Sequence, residues 1–339
     1  MVHRRTTLAD VAAEAGLSKT AVSLALNGSE GVRLSAGAIE RAKAAAKKLN
    51  YRPHSAARTL RTKTTESFGF LSSEITVKKW AMEMVTGALR KADESKHALL
   101  ISESSEEPIR QARALEAMVD RSVDGIVVAE MKARQVDAPD VPDNIPLIFA
   151  NALGPDKYIS ILPDEYQGGR EVVAAMLQGR LRSNVAIIGG HPKQESNLRE
   201  SATIGERLRG IRDELKSNGI QKWIWIEAHD WTTAFGYEAM TKLISEGTIP
   251  DAVIALNDEI AAGIYNACNE FQIKIGEDIS IVSFDDSEVA SILRPGLTTG
   301  RLPYTEIGEL AIEKLISKDM TPELILIKMP VKIRQSVAH

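Results

Sequence analysis

With 339 residues, the chain is too long for one ordinary hydrophobic core, so we expect two or three domains. No stretch has the length of apolar residues that a membrane-spanning helix needs, and we expect no membrane partner. The single cysteine, Cys268, rules out an internal disulfide and is compatible with a reducing compartment. The N-terminus lacks the apolar run and cleavage site of a secretory signal, so a cytoplasmic location is expected.

Charge is distributed unevenly along the chain, although the formal net charge is only −4. Residues 1–65 carry twelve Lys and Arg against four Asp and Glu, a balance of +8, whereas the remainder has a balance of −12. A basic N-terminal module on an otherwise acidic chain is the distribution expected when one small domain binds a polyanion such as nucleic acid.

The stretch from Thr6 to Asn27 has the pattern of two short helices joined by a tight turn. Thr7 precedes Asp10 by three residues, as in a capping box, and Gly16 supplies a positive φ that ends the first helix. In the second helix the residues expected to face outward or along the rim are Lys19, Thr20, Ser23 and Leu24. The pattern predicts a helix-turn-helix whose second helix enters the DNA major groove; the alternative is an ordinary helical hairpin.

A third helix is predicted from Ser35 to near Tyr51, and Pro53 breaks it. Residues 54–65 then form a basic, helix-prone linker without a hydrophobic face wide enough to fold alone, so we expect it to become helical only on binding. Leu60 is its one large apolar side chain, which either packs internally or acts as a wedge between base steps.

The run TLADVAAEAGLSKTAVSLALNG, followed by LNYRPHSAARTLRTKTT, resembles the headpiece and hinge of the LacI/GalR family of bacterial transcription repressors, and the resemblance continues to about Arg301. In that family the second helix reads the major groove, and a hinge leucine matching Leu60 opens a central step in the minor groove. The resemblance implies these DNA-binding residues: Thr7, Lys19, Thr20, Ser23, Leu24, Asn27, Arg58 and Leu60. Many relatives have Arg at the position of Leu24, and an Arg there can make two hydrogen bonds to guanine. A leucine side chain cannot, so the operator base at this position stays undetermined.

From Ser67 onward, short buried strands alternate with amphipathic helices, which indicates α/β structure with parallel sheets covered on both faces. Two such series indicate two lobes, and the resemblance implies the type I periplasmic-binding-protein arrangement, with three crossings between the lobes. We predict crossings near Leu162, Pro295 and Thr321. The predicted parts are a headpiece at 1–53, a hinge at 54–65, a first lobe at about 66–162 and 296–321, and a second lobe at about 163–295 and 322–339.

Polar residues that follow the strands are candidates for a ligand site in the cleft between the lobes. Carboxylate, amide and guanidinium groups can bond adjacent hydroxyls, and an indole face can stack on a sugar ring. From these positions and from the family's pocket, the candidate effector-binding residues are Lys79, Trp80, Asp164, Ser201, Thr203, Arg207, Trp231, Asn257 and Asp285. Taken singly, Asp285 and Asn257 could be caps and Trp231 a core residue. Lys79 adds a second cation, which leaves a carboxylated or phosphorylated effector open.

No catalytic residue, cofactor or metal site is predicted. The chain contains neither GxGxxG nor GxxxxGK[ST], and its six histidines do not fall at metal-ligand spacing. The sequence therefore predicts a homodimeric, non-enzymatic repressor of near-palindromic operator DNA that is controlled by a small molecule, a sugar in the first place. The alternatives are a regulator that responds to a purine or a sugar phosphate, a solute-binding protein, and a DNA binder whose lobes only dimerise.

Overall fold

A computed structural model of the chain describes residues 6–27, 34–51, 64–74, 81–104, 107–178, 182–228 and 230–338. The chain divides into two compact units, Met1–Thr65 and Glu66–His339. Within the described ranges, no helix combines the length and apolarity that crossing a membrane requires.

The N-terminal unit contains the helices α1 (Leu8–Ala15), α2 (Lys19–Asn27) and α3 (Ala36–Lys48). The capping box between Thr7 and Asp10 starts α1, and Gly16, with φ 63°, ends it, both as predicted. The core consists of small side chains, among which Val11 and Val22 are the largest that are fully buried. The helix-turn-helix prediction is confirmed, whereas most of the predicted hinge, including Arg58 and Leu60, lies outside the described residues.

The second unit alternates strands and helices. Its strands are β1 (Ser67–Ser72), β2 (Ala98–Glu103), β3 (Ile126–Gln135), β4 (Leu147–Leu153), β5 (Ile159–Pro163), β6 (Val185–Ile188), β7 (Ile224–Ile226), β8 (Ala252–Ala255), β9 (Ser280–Asp285), β10 (Thr298–Arg301), β11 (Leu324–Ile327) and β12 (Val331–Lys332). Its helices are α4 (Ala81–Glu94), α5 (Pro108–Asp120), α6 (Glu165–Leu177), α7 (Pro192–Ser196), α8 (Ile204–Ser217), α9 (Thr233–Ser245), α10 (Asp258–Glu270), α11 (Glu288–Ile292) and α12 (Tyr304–Ser317).

The strands form two six-stranded sheets, one in each lobe. The first has the order β11-β5-β4-β3-β1-β2 with parallel pairing throughout. The second has the order β12-β10-β9-β8-β6-β7, in which β12 is the antiparallel edge strand. This is the predicted fold, a helix-turn-helix headpiece followed by a two-lobed parallel α/β unit.

Two of the three crossings between lobes lie later than predicted. The first follows β5, next to the predicted position at Leu162. The second follows β10, not Pro295, because residues 298–301 pair with β9 in the second lobe. The third follows β11, not Thr321, because residues 324–327 pair with β5 in the first lobe. Strands of four residues have too short a hydrophobic pattern to be assigned to a lobe from sequence.

Candidate effector site and nucleic-acid interface

A cavity of about 340 Å³ lies between the two lobes at the carboxyl ends of several strands. Both lobes contribute to its walls, as expected for a ligand site in a parallel α/β fold. The predicted residues that line it are Ser201, Thr203, Arg207, Trp231, Asn257 and Asp285. Asp164 is not among the lining residues, and Lys79 and Trp80 lie outside the described part of the chain.

Arg207, in the first turn of α8, is 3% exposed and makes a buried ion pair with Glu165 at the start of α6. Its Nε and Nη2 donate to the two carboxylate oxygens at 2.7 and 2.6 Å, and Nη1 donates to the carbonyl of Leu256 at 2.6 Å. The guanidinium also lies 4.3 Å from the ring centroid of Phe284. Burial alone would lower the pKa of Arg207, but the Glu165 carboxylate outweighs it and leaves the pKa raised, so the guanidinium stays charged.

The close approach of α6 and α8 is what brings Glu165 to Arg207. Gly169 and Gly210 lie where the two helices cross, and a Cβ atom on Gly210 would collide with the backbone carbonyl of Tyr166. The glycines therefore allow the helix backbones to come nearer than larger side chains would.

Asp285 ends β9 and adds a carboxyl group to the cavity wall. Its φ of 112° is strained for a residue with a side chain, at a cost of about 1–3 kcal/mol, and such strain is common at ligand sites. Burial and the nearby Asp258 carboxylate raise the pKa of Asp285 well above its ordinary value, against the lowering effect of Arg207. A neutral carboxyl can both donate and accept a hydrogen bond.

Asp258 lies fully buried in the first turn of α10 and fixes the turn that follows Asp285. It accepts hydrogen bonds from the hydroxyl of Ser283, from Thr299 Oγ1 at 2.9 Å, and from the backbone and side chain of Ser287 at 2.7 and 2.9 Å. These bonds come from two strands and a loop, so they hold the strained turn in one conformation.

Two predicted residues combine a structural and a lining position. The Oδ1 of Asn257 caps α10 by accepting from the Ile260 N–H at 2.8 Å, and its Nδ2 donates to the Trp231 carbonyl at 3.3 Å. Ser201 Oγ accepts from the backbone N–H groups of Thr203 and Ile204 at 3.2 and 3.0 Å. The cap reading of Asn257 was thus correct, and the cap itself faces the cavity.

The structure also adds lining residues that the sequence analysis missed. The most telling is Glu165, which directly follows the predicted Asp164; Asp164 instead caps α6 by accepting from the Gln167 N–H at 3.1 Å. Tyr304 lines the cavity from the start of α12, and burial raises the pKa of its hydroxyl well above the ordinary value. A carboxylate two residues beyond the end of β5 was a usable signal for Glu165, whereas Tyr304 follows a crossing that was misplaced.

Residues 198–202 of the second lobe reach across to the end of β3 in the first lobe, and we call these contacts the latch. The Ala202 N–H donates to the Ala133 carbonyl and the Gln135 N–H to the Leu198 carbonyl, both at 2.7 Å. Arg199 adds bonds of 3.1 and 2.9 Å to the Asp137 carboxylate, although both side chains are exposed. The latch joins the lobes next to the cavity, since Ala133 and Ser201 are lining residues.

In the N-terminal unit, α2 presents the predicted polar face. Lys19 and Thr20 are exposed, Ser23 and Leu24 are half-buried, and Val22 and Ala25 point into the core. Thr7 is exposed, but its hydroxyl is already bonded to Asp10 at 2.7 Å, and Asn27 is the last residue of α2. The DNA contacts of these residues stay predictions.

Comparison with known proteins assigns both units. The profile of bacterial regulatory proteins of the lacI family matches residues 7–54, and that of the periplasmic binding protein-like domain matches residues 175–337. The ribose operon repressor of Escherichia coli K12 is 29% identical over 321 residues, 94% of each chain. Catabolite control protein A of Priestia megaterium is 26% identical over 338 residues, 97% of this chain and 98% of the relative.

Solved structures agree on the fold. The lac repressor dimer bound to operator and the anti-inducer ONPF superposes with a TM-score of 0.79 at 24% identity, covering 99% of this chain and 100% of that one. A complex of the transcriptional regulator CelR with cellobiose gives a TM-score of 0.62 at 22% identity, with coverage of 98% and 100%. Headpiece and lobes together define a DNA-binding transcription regulator with a periplasmic-binding-protein-like unit. The chain is thus similar to the LacI/GalR family of bacterial transcription regulators along almost its whole length.

Proposed function

We propose that this chain is a cytoplasmic repressor that binds near-palindromic operator DNA as a homodimer, and that a sugar bound between the lobes changes its operator affinity. One observation carries the proposal: a cavity built by both lobes, with Arg207, Asp285 and Trp231 on its walls, occurs in the same chain as a helix-turn-helix. A ligand that contacts both lobes can shift their relative arrangement because it binds one arrangement better than the other.

The DNA-binding half of the proposal rests on α2 and on charge. Lys19 and Thr20 are exposed on α2, and the first 65 residues have a balance of +8. One headpiece of this size makes too few contacts for specific binding, so two copies on a two-fold symmetric site are required. The relative solved with its operator is a dimer, which supports the same assembly here.

The effector half rests on the chemistry of the cavity. Asp285 and Arg207 can bond neighbouring hydroxyls, and Trp231 offers an aromatic face to the apolar side of a ring. One relative is a ribose operon repressor, and one structural neighbour was solved with cellobiose. Both support a sugar rather than a purine as the effector. No catalytic role is included, because the relatives are repressors and the lining groups are accounted for by ligand binding.

The coupling between the two sites needs only about 1–3 kcal/mol, up to roughly a hundredfold in operator affinity. The proposed route runs from the cavity through the lobes to the hinge at 54–65, which would be helical on the operator and lose that structure when the lobes rearrange. Whether the sugar releases or tightens the operator complex is decided by its preference between the two lobe arrangements.

The test is operator binding of the purified protein to its own upstream DNA, titrated with monosaccharides, disaccharides, sugar phosphates and purines. One sugar is expected to change the operator dissociation constant in a saturable way. A Lys19→Ala variant should lose operator affinity and keep the sugar-induced thermal shift, which separates the two sites. Equal losses of both activities in that variant would contradict the division of labour.

A further inference from the structure

The charges on the cavity walls limit which classes of ligand the cavity can bind. We propose that the cavity selects an uncharged polyhydroxylated ligand of about one sugar ring and excludes phosphorylated and carboxylated forms of it. This inference rests on the proposed effector function and chooses among the ligand classes that the sequence left open.

The buried cation of the cavity already has its anion. Arg207 and Glu165 are each 3% exposed and share two hydrogen bonds, so the guanidinium charge is matched within the protein. An anionic ligand that took the place of Glu165 would leave it a buried carboxylate without a cation. One that accepted from the remaining N–H groups of Arg207 would bring a second negative charge to a cation that is already matched. Leaving one member of a buried pair uncompensated costs far more than an exposed pair contributes.

The remaining charges on the walls are mostly negative. Asp285 lines the cavity near the buried Asp258, and Glu200 and Glu259 are exposed lining residues. In the described part of the wall, Lys132 is the cation besides Arg207, and it is exposed to water. A phosphate or carboxylate would therefore enter a cavity in which Glu200 and Glu259 outnumber Lys132, and it would be repelled by Asp285 as well whenever that carboxyl is ionised.

The same groups suit hydroxyls. Three N–H groups of Arg207 are engaged by Glu165 and Leu256, which leaves others on the guanidinium to donate to a ligand oxygen. The carboxyl of Asp285 can accept from hydroxyls or, when neutral, donate to one. Met131, Ile204, Trp231 and Leu302 supply apolar surface for the C–H face of a ring.

Cavity size sets the upper limit on the ligand. The volume of about 340 Å³ is at the lower end of the roughly 300–1,000 Å³ range of small-molecule sites. Such a volume fits a single ring with its hydroxyls better than a chain of rings.

The experiment measures thermal shift and calorimetric binding of the full-length protein with matched pairs of probes. The neutral probes are D-ribose, D-glucose, D-galactose and D-fructose, and the charged partners are ribose 5-phosphate, glucose 6-phosphate, galacturonate and fructose 6-phosphate. One neutral sugar should bind at least tenfold more tightly than its charged partner. A charged partner that binds as tightly or more tightly would overturn the inference and leave effector control intact. Failure of every probe to bind or to change operator affinity would overturn the effector proposal as well.

A variant tests the cause of the selectivity. Glu165→Gln removes the internal anion, so the ratio of neutral to anionic affinity should fall by about tenfold or more, with Glu238→Gln on the exposed face of α9 as the control. If Glu165→Gln does not fold, Asp285→Asn removes another cavity carboxyl and, measured at pH 8, should lower the same ratio. An unchanged ratio in a folded cavity variant would contradict the role assigned to these charges.

Discussion

The core of the N-terminal unit and the cores of the lobes are built from different side chains. The small unit buries Val11, Val22 and a set of alanines, whereas the lobes bury large side chains such as Phe70, Phe149 and Phe284. Because apolar burial contributes about 25 cal/mol per Å², the small unit has much less stability in reserve. The small unit is stable enough to hold α2 in position but tolerates few destabilising substitutions.

Polar groups also differ between the N-terminal unit and the lobes, in their exposure to water. Lys19 and Thr20 on α2 are exposed and would meet their partner from water, whereas Arg207, Glu165 and Asp258 are buried and paired before any ligand arrives. The DNA-binding site therefore depends on the groups that its partner supplies, whereas the cavity is organised in advance by the protein.

The largest expected effect comes from breaking that organisation. Glu165→Ala leaves Arg207 buried without its carboxylate and should lower the free energy of unfolding of the lobes by about 3–5 kcal/mol. Glu206→Ala is the matched control, because it removes the same kind of ion pair with Arg209 at an exposed position and should cost less than about 1 kcal/mol. Urea denaturation measures both. Similar losses in the two variants would mean that burial does not distinguish the pairs.

The same substitution in each core tests whether the small unit has less stability to lose than the lobes. Val22→Ala and Val253→Ala each truncate a fully buried valine and should each cost about 1–3 kcal/mol. The loss in the small unit should abolish operator binding while the sugar-induced thermal shift survives. The loss in the second lobe should lower its melting temperature and leave both binding activities measurable. Retained operator affinity in Val22→Ala would show that the small core has more reserve than its side chains indicate.

The pH dependence of stability tests the state of Asp285. Since burial and Asp258 raise its folded-state pKa, the folded protein holds this proton more tightly than the unfolded chain does. The contribution to stability is full below the ordinary carboxyl pKa and is lost as pH rises through the folded-state value. Asp285→Asn should therefore be more stable than wild type at pH 8, with the difference shrinking toward pH 4. Thermal melts across that range measure it, and a difference that grows toward pH 4 would reverse the assignment.

The smallest expected effect concerns the latch. Arg199 and Asp137 are exposed, so Arg199→Ala should change stability by less than about 1 kcal/mol. It should nevertheless speed both binding and release of the sugar, because a contact between the lobes is lost beside the cavity. Stopped-flow tryptophan fluorescence would follow the rates, because Trp231 lines the cavity, with Arg209→Ala as the control. Unchanged rates would mean that the latch acts through its backbone hydrogen bonds alone and that the pair of Arg199 with Asp137 contributes nothing to it.

Much of the fold could be predicted because its signals are local. The cap at Thr7, the stop at Gly16 and the helical spacing around Val11 lie within a few residues of one another. The lobes were recognisable from repeated strand and helix patterns. The crossings after β10 and β11 were not, because the partner of a four-residue strand is chosen by tertiary pairing.

The candidate site divides in the same way. Trp231, Asn257 and Asp285 could be predicted because they follow strands. Ser201, Thr203 and Arg207 were predicted from the family resemblance, and all six residues line one cavity. The pairing of Arg207 with Glu165 joins residues 42 positions apart through a helix crossing, and the latch joins a loop of the second lobe to the end of β3 in the first. Neither has a local pattern. Lys19, Thr20 and Ser23 could be placed on the outer side of α2, but no pattern in one chain identifies the bases they meet.

The pairing of Arg207 with Glu165 also bears on what a regulator of this design would report to the cell. Glu165 is an internal competitor held at a fixed local concentration by the fold, so it keeps its two hydrogen bonds to the guanidinium when organic acids accumulate in the surrounding solution. Phosphorylated intermediates and carboxylates would then not fill the cavity, even when their concentrations rise. Transcription would follow the supply of one neutral nutrient and stay insensitive to the general state of metabolism.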